Sequence, residues 1–493
     1  MTTVDRASPV PIYHQLKSLI RERIELGIWR PGDRIPTEHE LCDLYGISRA
    51  PVRQALTELA QEGLVTRRPG LGTFVHADAL SATLPEVSIR AMGSDPYWPP
   101  VLDYIGRIWN VEHPRQRIAF NVESVAYDGF YRQLNAAVGR GTAPDVAIVD
   151  CVHVAELAKT GYVYAIDEVN SWLDPQRQAE LYPAFAAANS YDGRLYALPF
   201  RADVSLLWYR QDWFAQEGIA PPRDWDDLRH VAEHFSKPAV KASYGLEAPL
   251  AFPGGRAGGE STVYSLMPFV WSAGSDVFQD DVVVLDGPGT RRALAFLRDL
   301  VAQGGLSLPD VTFFQWSTAP WMFAKGKVAM SLGGSYETDI IMDASGWTRE
   351  EFMARVGCVA PPAAPGGAPV SAVGGTSHVV LRQSKHPGLV LDVLRIAADP
   401  DAVGGLFRSR FQNSPFSAFN AFLSSEAEPV LTQVSRLITS GRARPSIPEY
   451  ALVSRQLQAM FEAAVVGTLP VDEAARRTAE FISVVTERRY VRT

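Results

Sequence analysis

A chain of 493 residues exceeds what one hydrophobic core supports, so two or three packed units are expected, and a small head with a large body fits that length. With 46% hydrophobic and 21% charged residues the composition excludes dominant disorder, and a net charge of −8 excludes a protein that coats nucleic acid along its whole surface, so any DNA contact is local. Cys42, Cys151 and Cys358 are too few and too far apart for a disulfide framework or a paired-cysteine zinc site; no apolar run is long enough to span a bilayer and no leader pattern opens the chain, so a cytoplasmic protein is expected.

From Pro11 onward Ile12, Leu16, Leu19, Ile20, Ile24 and Ile28 recur on one helical stripe, with Gly27 as a stop, which predicts a first amphipathic helix. Two short helices follow. Thr37 can cap the first, with Glu40 three residues on; Gly46 makes the turn, and Ser48 can cap the second. In that second helix Val52, Leu56 and Leu59 face inward, which leaves Arg49 and Arg53 on the outward face near its start. The start of a recognition helix is what reaches base edges, and arginine suits the paired guanine acceptors. LVTRRPGLGTFV then predicts a hairpin around Pro69, Gly70, Leu71 and Gly72, preceded by Arg67 and Arg68. Residues 1–78 hold ten basic and ten acidic side chains, so DNA binding there must come from patterning. Isolated arginines would read as a solvated face; the caps, turn and hairpin around these favour DNA.

In order and spacing, PIYHQLK, PGDRIPTEHEL, GISRAPVRQAL and EGLVTRRPGLGTFV resemble the GntR family of bacterial regulators. The resemblance implies a winged helix-turn-helix over residues 1–78 that binds double-stranded operator DNA. It assigns DNA contact or positioning to Arg34, Arg49, Arg53, Gly70 and Gly72; Ser48 at the helix start, Arg67 and Arg68 at the hairpin, and His39 in the first helix of the pair are further candidates for the DNA-facing side. Two departures stand out: His39 occupies a place where the family usually has arginine, and Ala50-Pro51 replaces the threonine that often follows the serine-arginine pair. Proline in a first helical turn is tolerated, because its missing N–H has no helical partner there.

After a linker at 79–86, strand-like and helical stretches alternate, which predicts an α/β body over 87–493 with largely parallel sheets. GTAPDVAIVD, HVAELAKTGYVYAID, YDGRLYALPFRADVSLLWYRQDWFAQEGIAPPRDWDDL, FVWSAGSDVF, FAKGKVAMSLGGSYE and VGGTSHVVLRQSKHPGLVLDVL resemble, in register, the extracellular solute-binding proteins of sugar ABC transporters. That resemblance implies the two-lobed type II periplasmic-binding fold. Lobe A would take about 87–199 with about 361–410, and lobe B about 202–357 with the C-terminal segments.

A sugar presents hydroxyls at its edge and apolar C–H faces, so its site needs a few convergent polar groups and flat aromatic rings. Strand ends supply Ser94, Asp95, Asp150, His153 and Arg201, and Tyr127 is a further candidate ligand contact. Tyr264, Trp271 and Tyr336 occupy or neighbour positions where the family stacks rings, and Gly374, Gly375 and Thr376 would let backbone approach a ligand. Plainer duties compete. Trp271 sits among Phe269, Val270 and Val277 and could be core; Asp95, Asp150 and Tyr127 with Asp128 could cap helices or turns; His153 reads as a helix start.

No nucleophile elbow, paired-histidine helix or phosphate loop occurs, so no enzyme, cofactor or metal is expected. The expectation is a ligand-responsive, homodimeric regulator that senses a mono- or oligosaccharide and controls sugar uptake or catabolism genes, with no membrane partner. A transport receptor with a fused head, an enzyme with a DNA-binding head, and a body that only dimerises remain open.

Overall fold

The computed structural model describes residues 4, 11–25, 28–76, 86–114, 116–126, 129–302 and 305–492. They divide into two compact units, residues 1–90 with 96–122, and residues 91–95 with 123–493. Gly27, Tyr127, Asp128 and positions 79–85 of the expected linker lie outside the described residues.

In the first unit, Leu16, Leu19, Ile20 and Ile24 of α1 (Ile12–Glu25) are buried, and the stripe closes on Val52, Ala55, Leu56 and Leu59 of α3 (Arg49–Gln61). Ile28 does not join it: the helix has ended, and Ile28 is 58% exposed. Ahead of α2 (Glu38–Tyr45), Thr37 and Glu40 form the expected reciprocal cap, with Glu40 N donating to Thr37 Oγ1 (3.3 Å) and Thr37 N to Glu40 Oε2 (2.7 Å). Gly46 ends α2 in the left-handed conformation. Ser48 takes the extended N-cap backbone of α3 but makes no side-chain cap bond. The cause is chemical: the third helical position is Pro51, which has no N–H to offer the serine hydroxyl. The wing pairs β1 (Val65–Arg68) with β2 (Gly72–Val75) in antiparallel register from Val65↔Val75 to Arg68↔Gly72.

The same unit continues through the start of β3 (Val87–Gly93), α4 (Trp98–Glu112) and most of β4 (Ile118–Ser124). Trp98, Val101, Leu102, Ile105 and Trp109 form the buried stripe of α4. Its exit is clamped, because Asn110 exchanges two 2.8 Å hydrogen bonds with the backbone of Ile118, and Trp109 Nε1 donates to Gln116 O at 2.8 Å.

Two sheets organise the second unit. One orders β5 (Val146–Asp150), β12 (Thr376–Val380) and β6 (Leu198–Pro199), with Ala91 and Met92 of β3 beside β5. The other orders β8 (Ala248–Ala251), β9 (Val328–Gly334), β7 (Asp203–Arg210), β11 (Ala372–Gly374) and β13 (Arg442–Ala443), and β10 (Val356–Val359) also pairs with β7. The sheets are mixed rather than largely parallel: β12 is antiparallel to β5 and β6, and β7 is antiparallel to β9, β10 and β11. A parallel neighbour needs a helical crossover; β7 and β12 are instead entered through short links from strands of the opposite sheet. That passage also moves a boundary. Residues 372–374, expected in lobe A, lie in the sheet of β7, and the chain changes sheets between Gly374 and Thr376.

Candidate functional site

The outward face of the head carries Ser48, Arg49 and Arg53 at the start of α3, exposed beside the wing. Arg53 Nε lies 2.9 Å from Glu38 Oε2, Arg67 Nη2 lies 3.7 Å from Glu38 Oε1, and Arg67 Nη2 also donates to Arg53 O at 3.4 Å. One carboxylate therefore gathers an arginine from the recognition helix and one from the wing. Arg68 lies 4.9 Å over the Phe74 ring. Gly70 (φ +74°) turns the hairpin, and Gly72 (φ +119°) leaves room for Arg34, whose Nε would stand 2.8 Å from a Cβ there. His39, exposed, faces Asp43 at 3.8 Å.

At the junction of the two body sheets, two buried arginines each tie one sheet to the other. Arg201, in the link from β6 to β7, donates from Nε to Asp203 Oδ2 (3.0 Å) and from Nη1 to Asp95 Oδ2 (3.3 Å). Asp95 closes the β3 side; Asp203 opens β7. Ser335 Oγ donates to Asp203 Oδ1 (3.3 Å) and accepts from Val204 N (3.1 Å). Nearby, Asp339 takes Arg410 Nη1 at 3.0 Å and Gln412 Nε2 at 3.5 Å. Burial pushes the Asp203 and Asp339 carboxyls up, and their arginine partners offset that only in part.

The second tie is Arg444, just after β13. Its Nη1 donates to Glu260 Oε1 at 2.6 Å, its Nη2 to Asp150 Oδ1 at 3.2 Å, and its Cζ stands 4.8 Å over the Tyr264 ring. Asp150 ends β5, and Glu260 begins α5 (Glu260–Ser272). From α6 (Tyr450–Val466), Tyr450 Oη donates to Glu260 Oε1 at 2.6 Å and Ser454 Oγ to Glu260 Oε2. The Tyr264 ring is wedged between strand ends: a Cβ on Gly334 would lie 2.9 Å from its Cε1, and one on Gly374 would lie 3.1 Å from its Cε2. Burial, then the Asp203 charge, hold the Tyr264 hydroxyl well above its ordinary pKa. Tyr264 Oη, Arg444 Nε and Thr376 Oγ1 are buried without a hydrogen-bond partner among the described residues. Such groups are costly unless something satisfies them.

The expected residues divide accordingly. Asp95, Asp150, Arg201, Tyr264, Gly374, Gly375 and Thr376 converge at this junction, Ser94 precedes Asp95, and Tyr336 joins through a ring contact to Tyr264 at 5.9 Å and a 2.9 Å bond to Ser261 Oγ. Asp150 also serves the plainer duty, accepting from Val152 N at 3.3 Å. His153 turns to the Tyr131 ring (3.6 Å) and toward Glu156 (3.8 Å). Trp271 lies about two turns beyond Tyr264 on α5, buried, with its Nε1 donating to Asp276 at 3.1 Å; it is core there. Gly375 does not open space for a ligand: a Cβ would stand 2.0 Å from Arg201 O, so the close approach is the chain's own. Sequence reasoning missed Glu38, Glu260, Arg444 and Tyr450. It also missed Glu337, buried beside Tyr336 and accepting from Trp208 Nε1 at 2.9 Å, whose carboxyl burial pushes up to about 8. Among the described residues no group of three or more His, Cys, Asp or Glu could hold a metal ion, and no helix is long and apolar enough to cross a membrane.

Residues 97–404 match the family of bacterial extracellular solute-binding proteins, and residues 12–75 match the bacterial regulatory proteins of the gntR family. The histidine utilization repressor of Klebsiella aerogenes is 46% identical over 82 residues, 17% of this chain and 34% of that protein. The probable fructoselysine utilization operon transcriptional repressor of Escherichia coli (strain K12) is 35% identical over 88 residues, 18% of this chain and 36% of that protein. The chain thus spans about a third of the length of the curated relatives it matches. Among solved structures, an ABC transporter solute-binding protein from Thermotoga lettingae TMO bound with α-D-tagatose superposes with a TM-score of 0.71 at 21% identity, covering 81% of this chain and 99% of that one. Maltose-bound MalE3 of T. maritima superposes with a TM-score of 0.70 at 22% identity, covering 81% and 100%. At these identities the likeness is one of fold.

Proposed function

From a chain that belongs, through its body, to the bacterial extracellular solute-binding proteins and opens with a gntR-family winged helix-turn-helix head, we propose a transcriptional regulator that binds operator DNA and senses a carbohydrate in its body. The reading rests on one observation above the others: a winged helix-turn-helix head with exposed arginines on its second helix and a solute-binding fold occur in one chain. It acts in the cytoplasm as a homodimer, because winged heads of this kind read paired half-sites. Asp95, Asp150, Arg201, Tyr264, Tyr336 and Thr376 line the ligand site in this reading, with hydroxyl-binding groups beside aromatic rings. Two curated relatives of the head are named as a histidine utilization repressor and a probable fructoselysine utilization operon transcriptional repressor, which supports control of uptake or catabolism.

A ligand acts on DNA binding only through its different affinity for DNA-competent and incompetent states. Thermal-shift screening over mono- and oligosaccharides, beginning with maltose and D-tagatose, is followed by gel-shift assays on fragments upstream of neighbouring genes. A sugar that raises the melting temperature and changes the gel shift is the expected result. Sugar binding that leaves DNA affinity unchanged overturns the sensor; absence of any bound fragment overturns the regulator.

A further inference from the structure

Within the first unit the guanidinium of Arg21 is buried, 6% exposed, and it meets the C-terminal ends of two helices at once. Its Nη2 donates to the Glu62 carboxylate at the C-cap of α3, and its Nη1 reaches the Val111 carbonyl in the last turn of α4 at 3.5 Å. Both ends favour a cation. The last carbonyls of a helix have no partner inside it and carry partial negative charge. Glu62 adds a full negative charge to the end of α3, where that dipole already disfavours one. Lys17 offsets part of it, at 2.8 Å from Glu62 and 2.7 Å from Glu58. Arg21 Nε is buried with no partner among the described residues, so these two helix ends are what hold the group.

By chain connectivity α4 leads from this contact to the candidate ligand site. Its first residue, Trp98, follows Asp95 by three positions, and Asp95 holds Arg201. Fifteen residues of helix span about 22 Å. Asn110 and Trp109 tie the exit of α4 to the chain entering β4, so the turn that carries Val111 is an ordered part of the helix rather than a loose loop.

We propose that Arg21 is a positioning residue that couples the Asp95–Arg201 pair to the recognition helix α3 through α4. When α4 shifts, the Val111 carbonyl moves against Arg21; because the same guanidinium holds Glu62, either α3 follows or the contact breaks. Packed elements of this kind switch between discrete arrangements rather than deforming smoothly. The coupling rests on the regulator reading for its purpose, but its physical content is a link between two places in one chain.

Hydrogen exchange on the full chain tests it without DNA or sugar, so its failure and that of the regulator reading are separable. Asp95→Asn perturbs the site end, and amide exchange is read in residues 98–112 and 49–61. We expect Asp95→Asn to change exchange in both stretches. In an Arg21→Met background the change at 49–61 should shrink by about threefold or more while that at 98–112 persists, and Arg21→Lys, which keeps the charge but not the two-sided fork, should restore it only in part. If Arg21→Met exposes all of residues 12–75 to exchange, the head has unfolded, and Glu62→Gln, which removes only the α3 end, replaces it in the same cycle. An Asp95→Asn effect on α3 that is absent, or equal with and without Arg21, overturns the proposal.

Discussion

Arg444 and Glu260 meet at 2.6 Å with the arginine buried and the carboxylate half-buried, although 184 positions separate them in the chain. The contact joins the link after β13 to the first turn of α5, and Asp150 on the other side of Arg444 draws in the first sheet.

Removing that arginine leaves two carboxylates short of their counter-charge, a loss that typically costs about 3–5 kcal/mol at a buried pair. Arg444→Met should therefore lower stability by about that amount in urea unfolding. Arg444→Lys, which keeps the charge but not the two-sided fork, should fall between. A change within about 1 kcal/mol for Arg444→Met would show that the junction does not depend on this residue.

Gly375 tests the close packing of the same junction. Its φ of +139° and the 2.0 Å approach of a Cβ to Arg201 O leave no room for a side chain, and the obstacle is backbone. Gly375→Ala should reduce the melting temperature by several degrees or prevent folding of the body. Gly139→Ala, at an open helical position, should be neutral or slightly stabilising. Equal melting temperatures for the two would contradict the geometry.

On the head, Arg53→Ala should weaken operator binding by about 10- to 100-fold, the scale of one lost base contact. Glu38→Gln should act in the opposite direction on non-specific DNA, because it releases Arg53 and Arg67 and removes a negative charge from the reading face. Fluorescence anisotropy against salt concentration measures both, and the salt dependence of Glu38→Gln should steepen. Unchanged affinity in Glu38→Gln would place the carboxylate outside the DNA-contacting face.

Glu337 sets a pH dependence of stability. Burial raises its pKa in the fold to about 8 from 4.5, so above pH 4.5 the unfolded chain releases a proton that the folded chain retains. The stabilising contribution is complete below about 4.5 and is lost as pH rises toward about 8. Glu337→Gln removes the titration, so its melting temperature relative to the parent should climb between pH 5 and pH 8. Parallel melting curves across that window would place the carboxyl in a solvated setting instead.

The head was readable because its determinants are local. The α1 stripe, the Thr37–Glu40 cap, the left-handed Gly46 and the wing glycines act within a few positions of themselves, and even the missing Ser48 cap bond follows from Pro51 three positions on. Strand-end residues such as Asp95, Asp150 and Arg201 were also within reach, since a strand that ends marks where side chains gather. By itself, the sequence determined the helix-turn-helix, the alternation of strands and helices, and the outward placement of Arg49 and Arg53. Tertiary structure alone decided that Arg444 closes on Glu260 and Asp150, that Trp271 is core, that Gly375 yields to Arg201 rather than to a ligand, and that β7 and β12 run against their neighbours. These are pairings between distant segments, where burial removes water as the competing partner, and no periodicity along the chain records which distant charge will take its place.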